Sequence, residues 1–184
     1  MSFTKWSIDP THSEILFKVK HLMISTVTGQ FHKFNLEVET ENNDFNSVKK
    51  IAFSADIDSI DTNNEQRNAH LKSADFFNAT EHPKVEFSGT VYEANKGKLY
   101  GNLSIGGTSK PVILDVEFGG HAKDPWGGER AGFTVTGKIS RKDFGLTYNA
   151  VTEAGGVVVG DEIKMIAEVQ LVKQAEAINV EEAA

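Results

Sequence analysis

The amino-acid sequence predicts an all-β protein whose antiparallel strands form either a sandwich or a closed barrel. Three observations support this fold class. Apolar and polar residues alternate with period two through most of the chain. Two connections are short enough to require hairpins, and a single segment breaks the strand pattern. The 184 residues are enough for one domain with a sizeable core.

Eight strands follow from the alternation, each with one apolar face and one mostly polar face. They cover residues 15–22, 34–39, 51–58, 85–92, 99–105, 112–118, 133–140 and 163–171. The glycine-containing connections at 95–97 and 106–111 predict antiparallel hairpins. Eight amphipathic strands must bury their apolar faces together, and closure into a barrel also removes exposed strand edges.

The apolar faces are rich in phenylalanine, which outnumbers tryptophan and tyrosine together by 12 to 5. The predicted inward-facing residues are Phe17, Val19, Phe34, Phe53, Ile57, Phe87, Leu103, Leu114, Phe118, Phe133 and Ile139. Gly89, Gly101 and Gly137 share the inward parity. These glycines either mark bulges and barrel corners or keep open a lumen lined by the Phe side chains. An eight-stranded barrel has room for packed side chains or for one small ligand.

The segment that breaks the strand pattern predicts a short helical insert near residues 63–79. Thr62 and Glu65 have the spacing of a capping box, with Thr62 as N-cap and Glu65 at position N3. A second short helix is expected to begin at Ser73. This insert places Phe76 and Phe77 at one end of the strands, where they would form a lid or a plug.

Four polar residues depart from the pattern of a packed core: His21, Arg67, His70 and Arg141. Arg141 continues the inward face of the seventh strand, so it needs a carboxylate partner, and Asp75 and Asp143 are the candidates. The four residues have two interpretations. In the first they are structural: Arg141 forms an ion pair, His21 is a hydrogen-bonded core histidine, and Arg67 and His70 lie on the exposed face of a helix. In the second they form a polar mouth that contacts the head group of a ligand.

Composition and motifs exclude several classes of function. The chain has no cysteine, which excludes disulfides, zinc knuckles, iron–sulfur clusters and a thiol nucleophile. The net charge of −7 argues against nucleic-acid or anionic-membrane binding. The histidine spacings match no metal motif, and we found no catalytic triad or nucleotide loop. The sequence therefore predicts no catalytic residue, no metal site and no cofactor other than a bound isoprenoid or fatty-acyl ligand.

The chain ends and the hydropathy pattern bear on location and domain limits. The N-terminal residues show no signal peptide, and no segment is apolar for long enough to be a transmembrane helix. We therefore expect a cytoplasmic protein. Residues 174–184 hold three acidic side chains and lack alternation, which predicts a flexible acidic tail after a domain at 1–173.

Motifs spread along the chain resemble the YceI-like polyisoprenoid-binding proteins. They lie at 6–13, 19–23, 27–31, 67–77, 101–108, 139–146 and 159–162, so the resemblance covers roughly residues 4–173. It implies an eight-stranded antiparallel, lipocalin-like barrel, often dimeric, with a long apolar tunnel that binds isoprenoid or other lipid chains. It implies no catalytic residues. Many members are periplasmic and carry a leader peptide, whereas the N-terminal residues of this chain do not resemble one.

Together these observations predict a non-catalytic protein that binds, transports or stores a long apolar ligand in the barrel lumen. The ligand would be a polyisoprenoid, an isoprenoid quinone or a fatty-acid derivative, with Phe76, Phe77 and Phe144 near the mouth, and the protein is expected to be a homodimer. Two alternatives remain open. One is an enzyme that uses His21 or His70 as acid/base on an apolar substrate. The other is a structural or stress-response protein with a filled barrel.

Overall fold

Eleven strands and one α-helix make up the part of the chain that the computed structural model describes, residues 2–149 and 158–175. In chain order they are β1 (Phe3–Ile8), β2 (Glu14–His21), β3 (Ser25–Phe31), β4 (Phe34–Glu41), β5 (Asp44–Asp56), β6 (Ile60–Asp61), α1 (Glu65–Lys72), β7 (Lys84–Glu93), β8 (Lys98–Ile105), β9 (Thr108–Lys123), β10 (Glu129–Ser140) and β11 (Glu162–Lys173). Short 3-10 helices lie at Pro10–His12, Ile57–Ser59 and Arg141–Phe144. The tail predicted at 174–184 lies outside the described residues after residue 175.

The strands close into an eight-stranded antiparallel barrel, which confirms the predicted fold class. β1 and β2 lie end to end along β11, because β1 pairs with residues 171–173 and β2 pairs with residues 164–168. β3 and β4 continue one another in the same way, since β2 pairs with β3 and β1 pairs with β4. These two strand pairs, together with β5 and β7 to β11, give eight positions around the ring.

The break between β1 and β2 has a local cause in the sequence. Pro10 has no N–H to donate to a ladder, and the Asp9 carboxylate accepts a hydrogen bond from the Thr11 N–H at 2.9 Å, which caps the 3-10 helix. The Ser13 hydroxyl then accepts the Gln170 N–H at 3.0 Å in place of a main-chain carbonyl. Side chains thus satisfy backbone groups where the strand bends.

The helical insert differs from the prediction in two respects. Asn64, not Thr62, is the N-cap of α1, and its side chain accepts the Arg67 N–H at 2.9 Å. Thr62 is buried and instead accepts hydrogen bonds from Arg67. Residues 73–77 form turns, so the second helix expected from Ser73 is wrong.

Two apolar clusters occupy the two ends of the barrel. We call the end that carries α1 the helix end and the other the opposite end. At the helix end Ile57, Ile60, Ile105, Phe144 and Leu146 are buried in one layer, with Leu71 and Phe77 packed against their cluster. At the opposite end the buried cluster contains Trp6, Val38, Phe45, Ala131 and Leu171. Both ends are therefore covered by packed side chains.

Candidate functional site

The barrel contains two apolar cavities. The larger, about 170 Å³, lies towards the helix end, and its wall includes the predicted residues Phe17, Phe53, Phe87, Leu103 and Leu114. The smaller, about 70 Å³, lies towards the opposite end and is lined by a second set that includes the predicted residue Phe133. In the described part of the chain, no titratable side chain lines the larger cavity.

Five aliphatic side chains separate the two cavities, because they line both. This partition consists of Leu36, Ile51, Leu99, Val135 and Val169. The five residues come from five different strands, so the cavities lie in series along the barrel axis. An apolar cavity of about 150 Å³ is large enough to hold one benzene molecule. The larger cavity is therefore sized for a short apolar segment, and a long chain requires the partition to move.

Phenylalanine rings lie over glycines of the neighbouring strand. A Cβ added to Gly29 would lie 2.2 Å from Cζ of Phe17, and one added to Gly101 would lie 2.5 Å from Cζ of Phe87. Since each ring occupies the space that a side chain would need, it lies against the barrel wall. These two rings line the cavity without crossing it.

The other two inward glycines are covered in the same manner by aliphatic side chains. Ile51 lies over Gly89, and Cδ2 of Leu114 would lie 2.5 Å from a Cβ on Gly137. The expectation that small residues directly leave open space is therefore wrong, because a neighbour fills the space above each glycine. Gly89 does lie beside a register shift of the β7–β8 ladder, as the alternative interpretation expected.

Four residues predicted to face the lumen line neither cavity. Ile57 is fully buried in the layer that covers the helix end, and Ile139 packs against that layer. Phe34 packs against both clusters. Val19 is half-buried beyond the cavity, opposite Val27 of β3.

Phe118 lies at the rim of the opposite end. Its side chain is 48 % exposed and its ring centroid lies 5.1 Å from that of Phe133. The period-two pattern assigned it to the interior, but the strand runs past the end of the packed core at this point. Phe118 does share the inward face with its direct cross-strand partner Phe133, which lines the smaller cavity, but it is too exposed to be part of a closed lumen.

The predicted mouth residues divide between the plug and the surface. Phe144 is buried, and Phe77 packs against the same cluster, so both help to cover the helix end. The Phe76 ring instead lies outside this layer, 5.1 Å from the rings of both His70 and Tyr148. The insert therefore acts as a plug at this end.

Arg141 is buried, with 2 % of its surface exposed, but its partners are not carboxylates. It donates hydrogen bonds of 2.6 to 3.3 Å to four main-chain carbonyl oxygens: those of Leu146, Tyr148, Val159 and Gly160. The expected ion pair with Asp75 or Asp143 is wrong. Burial lowers the pKa of Arg141, and the charge of Asp161 opposes that shift. Arg141 thus ties together the two chain segments that follow β10 and precede β11.

The remaining three polar candidates also lie outside both cavities. Arg67 donates from Nε to the Thr62 hydroxyl at 2.8 Å and from Nη2 to the Thr62 carbonyl, which holds α1 against the strand before it. His70 Nε2 lies 2.9 Å from Asp75 Oδ2. His21 is exposed at the last residue of β2, so it lies at the rim of the barrel and not in the lumen.

Sequence reasoning missed part of the cavity wall. Phe31, Ile51, Leu99 and Met165 line the larger cavity but were not proposed as site residues. Three of them do have the inward parity of a predicted strand, and that parity was the available signal. Phe31 lies on β3, which the alternation did not predict.

No helix within 2–149 and 158–175 is long and apolar enough to cross a membrane. Within the same two ranges, no three His, Asp or Glu side chains come together in a group that could hold a metal ion.

Comparison with known proteins gives a consistent family. The YceI-like domain family matches residues 6–171. A UPF0312 protein of Staphylococcus epidermidis is 40 % identical over 162 residues, which cover 88 % of this chain and 93 % of the relative. The crystal structure of the Campylobacter jejuni YCEI protein is 35 % identical, with a TM-score of 0.71 over 85 % of this chain and 90 % of that one.

A more distant structure shares the fold alone. The polyisoprenoid binding domain from Saccharophagus degradans, implicated in plant cell wall breakdown, is 15 % identical. Its TM-score is 0.60 over 93 % of this chain and 98 % of that one.

Proposed function

The chain belongs to the YceI-like domain family, and from this premise we propose that it binds the apolar chain of a lipid-like molecule inside its barrel. The observation that carries this proposal is the larger cavity, whose wall is almost wholly apolar. Each buried methylene contributes about 0.8 kcal/mol, so burial of many methylenes of a long chain can drive binding without a strong polar contact. The role would be non-catalytic binding, transport or storage.

The ligand class that fits is a flexible chain: a polyisoprenoid, an isoprenoid quinone or a fatty-acid derivative. A chain can place a short segment in the larger cavity and extend towards the smaller one if the partition side chains rotate. The polyisoprenoid-binding domain of the same fold supports this class. The homodimer and the cytoplasmic location stay predictions.

The alternatives have less support. An enzyme with a histidine acid/base needs that histidine at the substrate, but His21 is exposed on β2 and His70 is paired with Asp75 outside the lumen. A structural protein with a filled barrel needs a lumen without space, whereas a cavity of about 170 Å³ is present.

A titration with parinaric acid, a fluorescent polyene fatty acid, tests the proposal, with farnesol as competitor. Ala167 lines the larger cavity, so Ala167→Leu should fill part of it and weaken binding at least tenfold. The matched control is Ala69→Leu on the exposed side of α1, which should bind as the wild type does. Native mass spectrometry of the purified protein checks for a co-purified lipid. Absence of both probe uptake and co-purified lipid would refute the proposal.

A further inference from the structure

The wall of the barrel is not continuous between β9 and β10. Their antiparallel pairing runs from Lys123–Glu129 to Asp115–Thr136 and ends there. Both strands continue towards the helix end, β9 through residues 108–114 and β10 through residues 137–140. Along these residues β9 pairs only with β8 on its far side, and β10 only with β11. We call this stretch the seam.

A groove of about 610 Å³ opens on the outer surface at the seam. Its wall includes outward-facing residues, such as Ile113 and Lys138, and inward-facing ones, such as Val112, Ile139 and Phe144. The groove therefore reaches between the two strands. Val112 lines both the groove and the larger cavity, so one residue separates solvent from lumen at this point.

Beside Val112, a second aliphatic side chain covers the seam on its inner side. Leu114 and Gly137 directly follow the last paired residues, and Leu114 lies so close over Gly137 that an added Cβ would be 2.5 Å from Cδ2. Both residues also line the larger cavity. Where a ladder hydrogen bond would join the strands, this contact between an isobutyl group and a glycine closes the wall.

The free edges at the seam carry residues that protect an open strand edge from pairing with another chain. Lys110 and Pro111 lie on β9 and Lys138 on β10, all exposed. Lysine and proline are the residues by which natural proteins blunt such edges. Ile113, 60 % exposed in the middle of the groove, offers an apolar contact to a chain at the surface. The seam is thus open to a small apolar molecule yet protected against strand addition.

We propose that the seam between β9 and β10 is the portal through which the apolar ligand passes between solvent and the larger cavity, with Leu114 as the gating side chain. This inference rests on the proposed function. Passage here requires rotations of Leu114 and of its neighbour Val112 and leaves the paired ladders intact. Passage through either end of the barrel would require the buried clusters there to separate.

The absence of cysteine makes the seam straightforward to cross-link. Ile113→Cys/Lys138→Cys places two thiols on the outer face of the two edges, and a bifunctional methanethiosulfonate joins them reversibly. Uptake and release of parinaric acid are then followed by stopped-flow fluorescence. We expect the cross-link to slow both rates at least tenfold with little change in affinity, and reductant to restore them. The matched control is Lys18→Cys/Lys164→Cys, which joins two paired residues of β2 and β11 and should leave the rates unaltered.

A second variant changes the gate itself. Leu114→Ala should raise the uptake and release rates severalfold, because the side chain that closes the seam is shortened. Unaltered rates in the cross-linked protein would overturn the portal while binding itself persists. A Leu114→Ala variant that releases the probe faster but takes it up no faster than the wild type would also overturn it, because only its affinity has then changed. If no form of the protein binds the probe, the proposed function fails, and the portal with it.

Discussion

Replacement of Gly29 by alanine should close the larger cavity from within. Gly29 of β3 is the cross-strand partner of Phe17 on β2. An alanine Cβ would lie 2.2, 2.5 and 2.8 Å from Cζ, Cε1 and Cε2 of Phe17, inside the ring's contact distance. The three nearest atoms all belong to this side chain, so the ring must move and the strands need not. The space available to it is the cavity that it lines.

The volumes set the size of the effect. The cavity holds about 170 Å³, and an apolar cavity of about 150 Å³ holds one benzene molecule, so a displaced phenyl ring fills most of it. Overpacking costs about 1–3 kcal/mol, and the lower entropy of the unfolded chain offsets about 0.4–1 kcal/mol. At about 2–4 °C per kcal/mol, Tm should fall by a few degrees.

The loss of binding should exceed the loss of stability. If the ring displaces about three methylenes of the ligand at about 0.8 kcal/mol each, the affinity falls roughly 50-fold, since 1.4 kcal/mol is about tenfold. Thermal unfolding and a parinaric acid titration measure the two quantities. The control is Gly132→Ala on β10, where an added Cβ meets nothing within 4 Å.

A double variant separates displacement of the ring from general damage. In Gly29→Ala/Phe17→Leu the clash is removed with the ring, so both Tm and affinity should recover relative to Gly29→Ala alone. The reasoning is refuted if Gly29→Ala matches Gly132→Ala in both measurements, or if the double variant binds no better than the single one.

Three further predictions concern the hydrogen bonds of Arg141, the stability of the fold at low pH and the partition between the two cavities. Arg141→Met leaves four main-chain carbonyl oxygens, two of them in fully buried hydrogen bonds, without their donor. It should lower the free energy of unfolding in urea by about 3–5 kcal/mol. For the exposed neighbour, Lys142→Met should leave the free energy of unfolding within about 0.5 kcal/mol of the wild type. If the two variants are equally destabilised, the hydrogen bonds of Arg141 do not have the stabilising role assigned to them. Hydrogen bonds from Thr11 and Arg130 hold the pKa of Asp9 well below its usual range, so this carboxylate stabilises the fold above its unfolded pKa of about 3.9 and loses that contribution as pH falls further. Asp9→Asn should therefore flatten the decline of Tm below about pH 4, and an unaltered slope would contradict the assignment. Leu99→Ala should join the two cavities and lower the free energy of unfolding by about 3–5 kcal/mol. It should also increase the chain length of the longest saturated fatty acid that binds. An unaltered maximum chain length would show that the partition does not limit the ligand.

The alternation of residues predicted the barrel, but not the pairings that close it. Closure depends on β1, which pairs with both β4 and β11, and β1 was not among the predicted strands. β3 was missed as well, because its inward face is interrupted by Gly29 between Val27 and Phe31 and its other face is polar. The strand count was nevertheless right, since β1 and β3 each share a position with a predicted strand.

The alternation of residues predicts which side chains of the site face inward, but not what they contact. Phe17, Phe87 and Leu114 have the parity of inward residues, and they line the cavity. Their contacts with glycines depend on the register between strands, which period two does not specify. Arg141 was correctly placed inside, but its partners are main-chain carbonyls. Backbone groups have no residue type, so no sequence pattern can indicate them.

The routes into the lumen differ in what they would disrupt. At the helix end, the packed layer includes Phe144 and Leu146, and the segment that carries them is held by the buried hydrogen bonds of Arg141. A hydrogen bond to a charged group contributes about 1.5–3 kcal/mol, so breaking several of them is far more costly than moving one side chain. At the seam, a Leu114 rotamer held about 30° from its minimum costs only about 0.5–1.5 kcal/mol. The partition consists of aliphatic side chains only, so it too can open by side-chain rotation without breaking a hydrogen bond. A chain can therefore enter and extend through the barrel by side-chain rotation alone, while the packed clusters at both ends stay in place.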